Sequence, residues 1–403
     1  MNATDHEGKE LRAVTDSTDW QPPAGSVPPP APSPYAAPTA SPPPPTGNPG
    51  WTPPPKPGLI PLRPLTLGVI LGAAFQVLRR NPKPTFGFSL LVSGGVFLLT
   101  LVIVGVVSFF AIFRTLNATG ADAETLAAGS IAMIILSALV PMVLGLVAGA
   151  LLQGVIALEV ARATLGEKLK LGGLLRAARG RIGALIGWTL LVALIATVGL
   201  AVIVGAIALI IGFGGTAGLI AGVLLAVVLG LALLALSFWL STKLCLVPTV
   251  LMLERLPLRA AIARSWSLTA GYFWRTLGIQ LLVAFIIQTV AGIVTTPLSL
   301  LLGFGAALIN PNGDQTGLII GGIVLYVLTI VVSLVFGAIA SVVQSATPAL
   351  LYIDIRMRKE GLDLQLSRFV EARQAGDTSI PDPYLVQSGA VPPPPPGSAS
   401  PWS

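Results

Sequence analysis

The chain has 403 residues, of which 54% are hydrophobic and only 10% charged, and its formal net charge is +7. Soluble domains carry about a quarter charged residues, so this composition excludes an ordinary soluble globular protein. A single cysteine, Cys245, and a single histidine, His6, exclude an intramolecular disulfide, a cysteine zinc cluster and most hydrolytic chemistry that needs histidine inside a site.

The first 57 residues contain 17 prolines among many Ala, Ser, Gly and Thr. Such a segment buries too little apolar surface to fold, and it is expected to be disordered and partly polyproline II. No signal-peptide apolar core stands in it, so the first span is expected to serve as its own insertion signal. Residues 377–403 repeat the Pro-rich character, with Pro392 to Pro396 in a run. Two readings of these tails stand side by side. One is a ligand or tether for a Pro-binding protein partner; the other is a soluble spacer in an organism that favours Pro and Ala codons.

Between the tails, 84–113, 125–158, 182–242, 276–313 and 315–353 carry no charge. A transmembrane helix needs about 20 apolar residues. Four windows hold one span each, and the longest holds two, divided at Gly212-Phe213-Gly214-Gly215-Thr216. The expectation is six spans near 86–113, 127–160, 182–211, 217–251, 273–305 and 317–353. Of the 21 Lys and Arg between Arg63 and Arg373, 20 fall on one side of these spans and only Arg114 on the other. Asp122, Glu124 and Asp314 share the side of Arg114. The positive-inside rule therefore places both termini in the cytoplasm, with the chain multi-pass in the plasma membrane. The excess positive charge answers to orientation and to anionic lipids, and nucleic acid is not an expected partner.

Three segments echo one another: Glu167-Lys168-Leu169-Lys170-Leu171, Glu254-Arg255-Leu256-Pro257-Leu258 and Glu360-Gly361-Leu362-Asp363-Leu364. With only eight Glu in the chain, three followed by Leu at the second and fourth positions mark tandem units, about 64–166, 167–253 and 254–360, inside a membrane domain 58–376. The fold class is all-α: six transmembrane helices in three tandem hairpin repeats, with cytoplasmic interfacial amphipathic helices. The amphipathic stripes are Leu67, Ile70, Leu71, Ala74 and Leu78; Leu171, Leu174, Leu175, Ala178 and Ile182; and Leu258, Ala261, Ile262, Ser265 and Thr269. Arg79, Arg80, Arg176, Arg179, Arg259 and Arg264 flank them and are the candidates for lipid headgroups.

Ionisable groups inside spans raise a functional question by default. The intramembrane polar candidates are Glu159, Arg162, Lys243, Gln280 and Gln344. Glu159 and Arg162 are three apart on one helix and are expected to pair. Lys243 either snorkels or pairs between helices, or it lines a substrate path. Asp354, Arg356 and Arg358 read as an interfacial anchor. Trp188, Trp239, Trp266, Tyr272, Trp274 and Tyr352 read as an aromatic belt. Pairs such as Gly145/Gly149, Gly183/Gly187 and Gly218/Gly222 read as helix-packing positions. Pro141, Pro248, Pro297 and Pro348 are expected to bend spans. No phosphate loop or nucleophile elbow appears. No catalytic residue, cofactor or metal site is expected.

Three separated stretches carry a family resemblance. They are Pro57-Gly58-Leu59-Ile60-Pro61-Leu62-Arg63-Pro64-Leu65-Thr66-Leu67-Gly68 with Leu78-Arg79-Arg80-Asn81-Pro82, then Ala261-Ile262-Ala263-Arg264-Ser265-Trp266, and Tyr352 to Asp363. Over about 57–366 the chain resembles a family of actinobacterial membrane proteins labelled as the membrane domain of glycerophosphoryl diester phosphodiesterase. The resemblance implies a membrane domain standing without the soluble, histidine-bearing catalytic domain, and so implies no enzymatic activity. In that family acidic residues often stand where Val69 and Gly72 stand here. The functional expectation is a non-enzymatic integral membrane protein that organises lipids or partner proteins. The alternative is a transporter or lipid carrier with a cavity inside the bundle.

Overall fold

The structure is a computed structural model that describes residues 58–116, 122–309, 315–377 and 379–385. The Pro-rich stretches 1–57 and 386–403, with His6, and Asp314 lie outside the described residues, as do the expectations placed on them.

Among the described residues all regular structure is helical. The order is α1 (Leu67–Arg80), a π-helical turn (Lys83–Gly87), α2 (Phe88–Leu116), α3 (Asp122–Thr164), α4 (Leu171–Ala178), α5 (Ile182–Phe213), α6 (Gly215–Leu244), α7 (Val247–Leu253), α8 (Leu258–Thr269), α9 (Phe273–Ile309), α10 (Gln315–Glu360) and α11 (Leu362–Gln374). Six stretches are long and apolar enough to cross a membrane: Lys83–Leu116, Gly129–Thr164, Ile182–Phe213, Gly215–Leu253, Phe273–Leu302 and Ile319–Glu360. Together they take in most of the five uncharged windows of the sequence, the longest, 182–242, being shared by two of them on either side of Gly214. Pro141, Pro297 and Pro348 lie within helices that continue through them. Only Pro248 coincides with a break, between α6 and α7.

The spans pack in a closed order: α2 on α3, α3 on α5, α5 on α6, α6 on α9, α9 on α10, and α10 back on α2, with α3 also touching α10. In the α5–α6 pair, Gly218 and Gly222 are buried. A Cβ on Gly222 would stand 2.4 Å from Ile211 Cγ1, and one on Gly218 2.4 Å from the Ile210 carbonyl oxygen. These two glycines therefore pack as their spacing suggested. Gly183 and Gly187 have open space around them.

Burial divides the molecule along its length. Mid-span side chains such as Phe109 (65%), Leu194 (61%) and Leu224 (63%) are exposed. A continuous apolar surface of this extent requires hydrocarbon around it, and closed helices satisfy the backbone there. The packed core lies at the other level, the end where the four basic segments gather. Ile60, Ile70, Ile156, Leu174, Leu251 and Leu350 are all within 1% of full burial. Gly154 on α3 permits this density. A Cβ there would stand 2.3 Å from Met252 Cε and 2.9 Å from Leu185 Cδ2.

The short helices join this core. α1 buries Ile70, Ala73, Ala74 and Val77 and packs on α10. Its stripe is thus turned onto protein, and Leu67 at its start is 45% exposed. α4 buries Leu174 and Ala178, and α8 buries Ala261, Ser265, Leu268 and Thr269.

Candidate functional site

Four charged side chains are buried at the basic end: Glu159, Glu254, Asp354 and Arg356. A buried charge is tolerated only when it is paired and hydrogen-bonded, so their partners define what this end does.

Asp354 on α10 is fully buried. Its Oδ1 accepts the Leu65 backbone N–H at 2.7 Å and Arg358 Nε at 2.9 Å. Its Oδ2 accepts Arg275 Nε at 3.2 Å and Nη2 at 3.0 Å. Arg275 and Arg358 also donate to the Leu65 carbonyl, at 2.7 and 2.8 Å. Both backbone groups of Leu65, ahead of α1, are therefore held by side chains of α9 and α10. This capture explains why α1 lies on α10.

A second network joins two of the three echoed glutamates. Glu254 accepts the Tyr352 hydroxyl at 2.7 Å and Arg264 Nε at 3.1 Å. Arg264 Nη2 reaches Glu360 at 2.6 Å. Arg356 donates to the Tyr352 hydroxyl at 2.8 Å and to Glu360 at 2.8 Å. Tyr352 is completely buried and belongs to this network, not to an aromatic belt. Asp354 and Arg356 likewise are core ion pairs and not a surface anchor. The backbone repeats as well. Arg255 after Glu254 has φ +55° and Gly361 after Glu360 has φ +63°, both left-handed.

The third echoed residue, Glu167, lies apart. It meets Arg162 at 3.7 Å and Arg373 at 3.3 Å. Arg162 makes its short pair with Asp382 at 2.5 Å, so the expected Glu159–Arg162 pair does not form. Asp382 belongs to residues 379–385, inside the stretch 377–403 whose Pro-rich composition predicts a disordered tail. Here they form a strap on the core. Tyr384 is 1% exposed, shares a hydrogen bond with Thr164, and its carbonyl accepts Arg356 at 3.4 Å. Burial pushes the Tyr384 hydroxyl well above the ordinary tyrosine range, against the opposing effect of the Thr164 bond. At the start of the strap, the Ser379 hydroxyl and N–H hold the Asp377 carboxyl below its usual range. A lone tyrosine two residues after an aspartate, in a Pro-rich stretch, was the available signal for this strap.

The intramembrane polar candidates have separate surroundings. Glu159 is 1% exposed and accepts Asn81 Nδ2 at 3.0 Å. Lys243 Nζ stands 5.2 Å from the Trp266 ring centroid and 5.9 Å from that of Phe273, a cation–π arrangement. Gln280 is half-buried beside Cys245, and Gln344 is exposed. Of the headgroup candidates, Arg79, Arg176, Arg179 and Arg259 are exposed and Arg80 is half-buried, while Arg264 turns inward to Glu254 and Glu360. Among the described residues, no carboxylate pairs with Arg79, Arg176, Arg179 or Arg259, and no three metal-ligating side chains converge.

The second network and the α9–α10 half of the first lie in one stretch of chain. Residues 216–361 match the family model of the membrane domain of glycerophosphoryl diester phosphodiesterase. The match is to the membrane domain and not to a catalytic domain, and with the six apolar helices it describes an integral membrane protein. Glu254, Arg264, Arg275, Tyr352, Asp354, Arg356 and Glu360 fall inside the matched residues, whereas Leu65, Glu159 and the strap fall outside them. No curated protein and no solved structure matches the chain.

Proposed function

We propose that the protein is a non-enzymatic component of the plasma membrane that organises anionic lipids, and partner proteins through its Pro-rich tails, at the cytoplasmic face. One observation carries this reading. The buried charges at the basic end are used in holding helices together, while Arg79, Arg176, Arg179 and Arg259 remain exposed around them without carboxylate partners. Arginines of this kind at a membrane surface attract anionic headgroups, each by about 1 kcal/mol. The three consecutive hairpins, α2–α3, α5–α6 and α9–α10, would be tandem repeats entering from the cytoplasm, and their basic ends would form the ring.

The test is mass spectrometry of lipids retained by the full-length protein from nanodiscs of mixed phosphatidylglycerol and phosphatidylcholine. Wild type should enrich phosphatidylglycerol. Combined Arg79→Glu, Arg176→Glu, Arg179→Glu and Arg259→Glu should abolish the enrichment. Equal enrichment in both would defeat the lipid reading. Deletion of residues 1–57 should release any stoichiometric protein partner. A lipid carrier is the second reading, favoured by one oxygen of Glu159, Oε2, which is buried without a hydrogen-bond partner.

A further inference from the structure

Asn81, at the end of α1, contributes both amide hydrogens to nearby acceptors: Nδ2 donates to Glu159 Oε1 at 3.0 Å and to the Leu169 carbonyl at 3.0 Å. Its donors are thus exhausted, and Glu159 Oε2 is left buried with nothing to accept from. Close by is the opposite deficiency. Arg80 Nε is buried and donates to nothing. Arg80 directly precedes Asn81, and Lys168 directly precedes Leu169, so both basic residues adjoin the groups joined by the Asn81 amide, yet neither forms an ion pair with Glu159. In a low-dielectric interior such groups attract strongly, and unmet buried polar atoms are rare in folded proteins. An acceptor and a donor of opposite charge therefore stand near each other, both unmet. The chain turns here into the π-helical segment Lys83–Gly87, a distortion that recurs at functional sites.

We propose that Glu159, Asn81 and Arg80 form a site for one zwitterionic phosphodiester headgroup, its primary ammonium on Glu159 and its phosphate on Arg80 and Lys168. The proposal deepens the lipid-organising reading and rests on it. The chemistry selects among ligands. A metal cation would suit Glu159, but Arg80 and Lys168 would repel it and Arg80 Nε would stay unmet. A purely anionic headgroup would suit Arg80 and be repelled by Glu159. A quaternary ammonium carries charge but no N–H for Oε2. An ethanolamine phosphodiester supplies both missing partners at once. Lys168 is exposed and Arg80 half-buried, so the site borders the surface on the basic side. Two sources offer this chemistry: phosphatidylethanolamine in the bilayer and free glycerophosphoethanolamine in solution.

The experiment uses full-length protein in nanodiscs of equal phosphatidylethanolamine and phosphatidylcholine, with retained lipid read by native mass spectrometry. A charge-assisted hydrogen bond implies a preference for phosphatidylethanolamine of roughly tenfold. Glu159→Gln keeps an acceptor for Asn81 and should remove the preference. Arg80→Gln serves as the second variant if Glu159→Gln melts early. Glycerophosphoethanolamine added to protein in pure phosphatidylcholine separates the sources. If it raises the melting temperature of wild type but not of Glu159→Gln, the free diester is a ligand. Selection of the lipid with no such effect assigns the bilayer source. Equal retention of both lipids by wild type, with no response to the soluble diester, would mean that a water bridges Glu159 and Arg80 and would overturn the proposal. A preference that survives both substitutions would overturn it too. Equal retention of the two lipids by wild type beside intact phosphatidylglycerol enrichment would remove the site and leave the basic-rim reading standing.

Discussion

Asp354 shows how one side chain can decide the placement of a helix. It collects the Leu65 N–H and two guanidinium groups with no exposure to solvent, so its removal leaves two arginines without their carboxylate and a backbone amide unmet. Breaking a buried pair of this kind costs about 3–5 kcal/mol. Asp354→Ala is expected to lower the stability measured by thermal unfolding in detergent by that order. Leu364→Ala, at a 62% exposed position, should stay within about 0.5 kcal/mol of wild type. Arg255 gives the opposite sign. It holds φ +55°, where a side chain costs about 1 kcal/mol that glycine does not. Among the described residues its side chain donates one long bond, 3.5 Å, to the Ala177 carbonyl. Arg255→Gly should therefore gain about 1 kcal/mol, and a loss of stability would show that the contact outweighs the strain. The residue scale is also where the sequence was least legible. Glu159 and Arg162 satisfied the local three-residue rule for pairing, but Asn81 and Asp382 won, from 78 and 220 positions away. The partner of Asp354 at Leu65 is 289 positions away. Local spacing carries no information about such pairings.

At the scale of elements, the spans were legible because an uncharged run has few ways to exist outside hydrocarbon. Short helices stand at Leu67–Arg80, Leu171–Ala178 and Leu258–Thr269, where the stripes were read, but the stripes did not say what these helices would cover. A stripe facing lipid and a stripe facing another helix have the same periodicity, and α1 took the second. The strap was hidden by its surroundings, since prolines on both sides outweighed one tyrosine. Its chemistry yields a pH dependence. Tyr384 is raised in the folded state by burial, so the native state keeps the phenol proton more firmly than the unfolded chain. The stability this contributes is whole below the unfolded value of about 10 and is lost as pH rises through the folded value. Between about pH 9 and about pH 11, the melting temperature of wild type should fall more than that of Tyr384→Phe. Parallel declines would show that the strap does not bury its tyrosine in solution.

For the whole molecule, the two levels of packing are the main result. Charged networks and a dense core tie all four basic segments together at one end. Beyond it, helices present exposed leucine, valine and phenylalanine to their surroundings. This division suits a body whose basic end is densely packed and whose spans rely on lipid as solvent. The central claim is that the packed, basic end faces the cytoplasm and the far loops face outward. It is tested by cysteine accessibility in intact cells, in a Cys245→Ser background, with a membrane-impermeant maleimide. Single Arg114→Cys, Arg179→Cys, Arg259→Cys and Leu364→Cys variants sample the two ends. The account predicts labelling of the Arg114→Cys variant alone until the cells are lysed, after which the other three react. Labelling at Arg179→Cys, Arg259→Cys or Leu364→Cys in intact cells, with the Arg114→Cys variant protected, would contradict it.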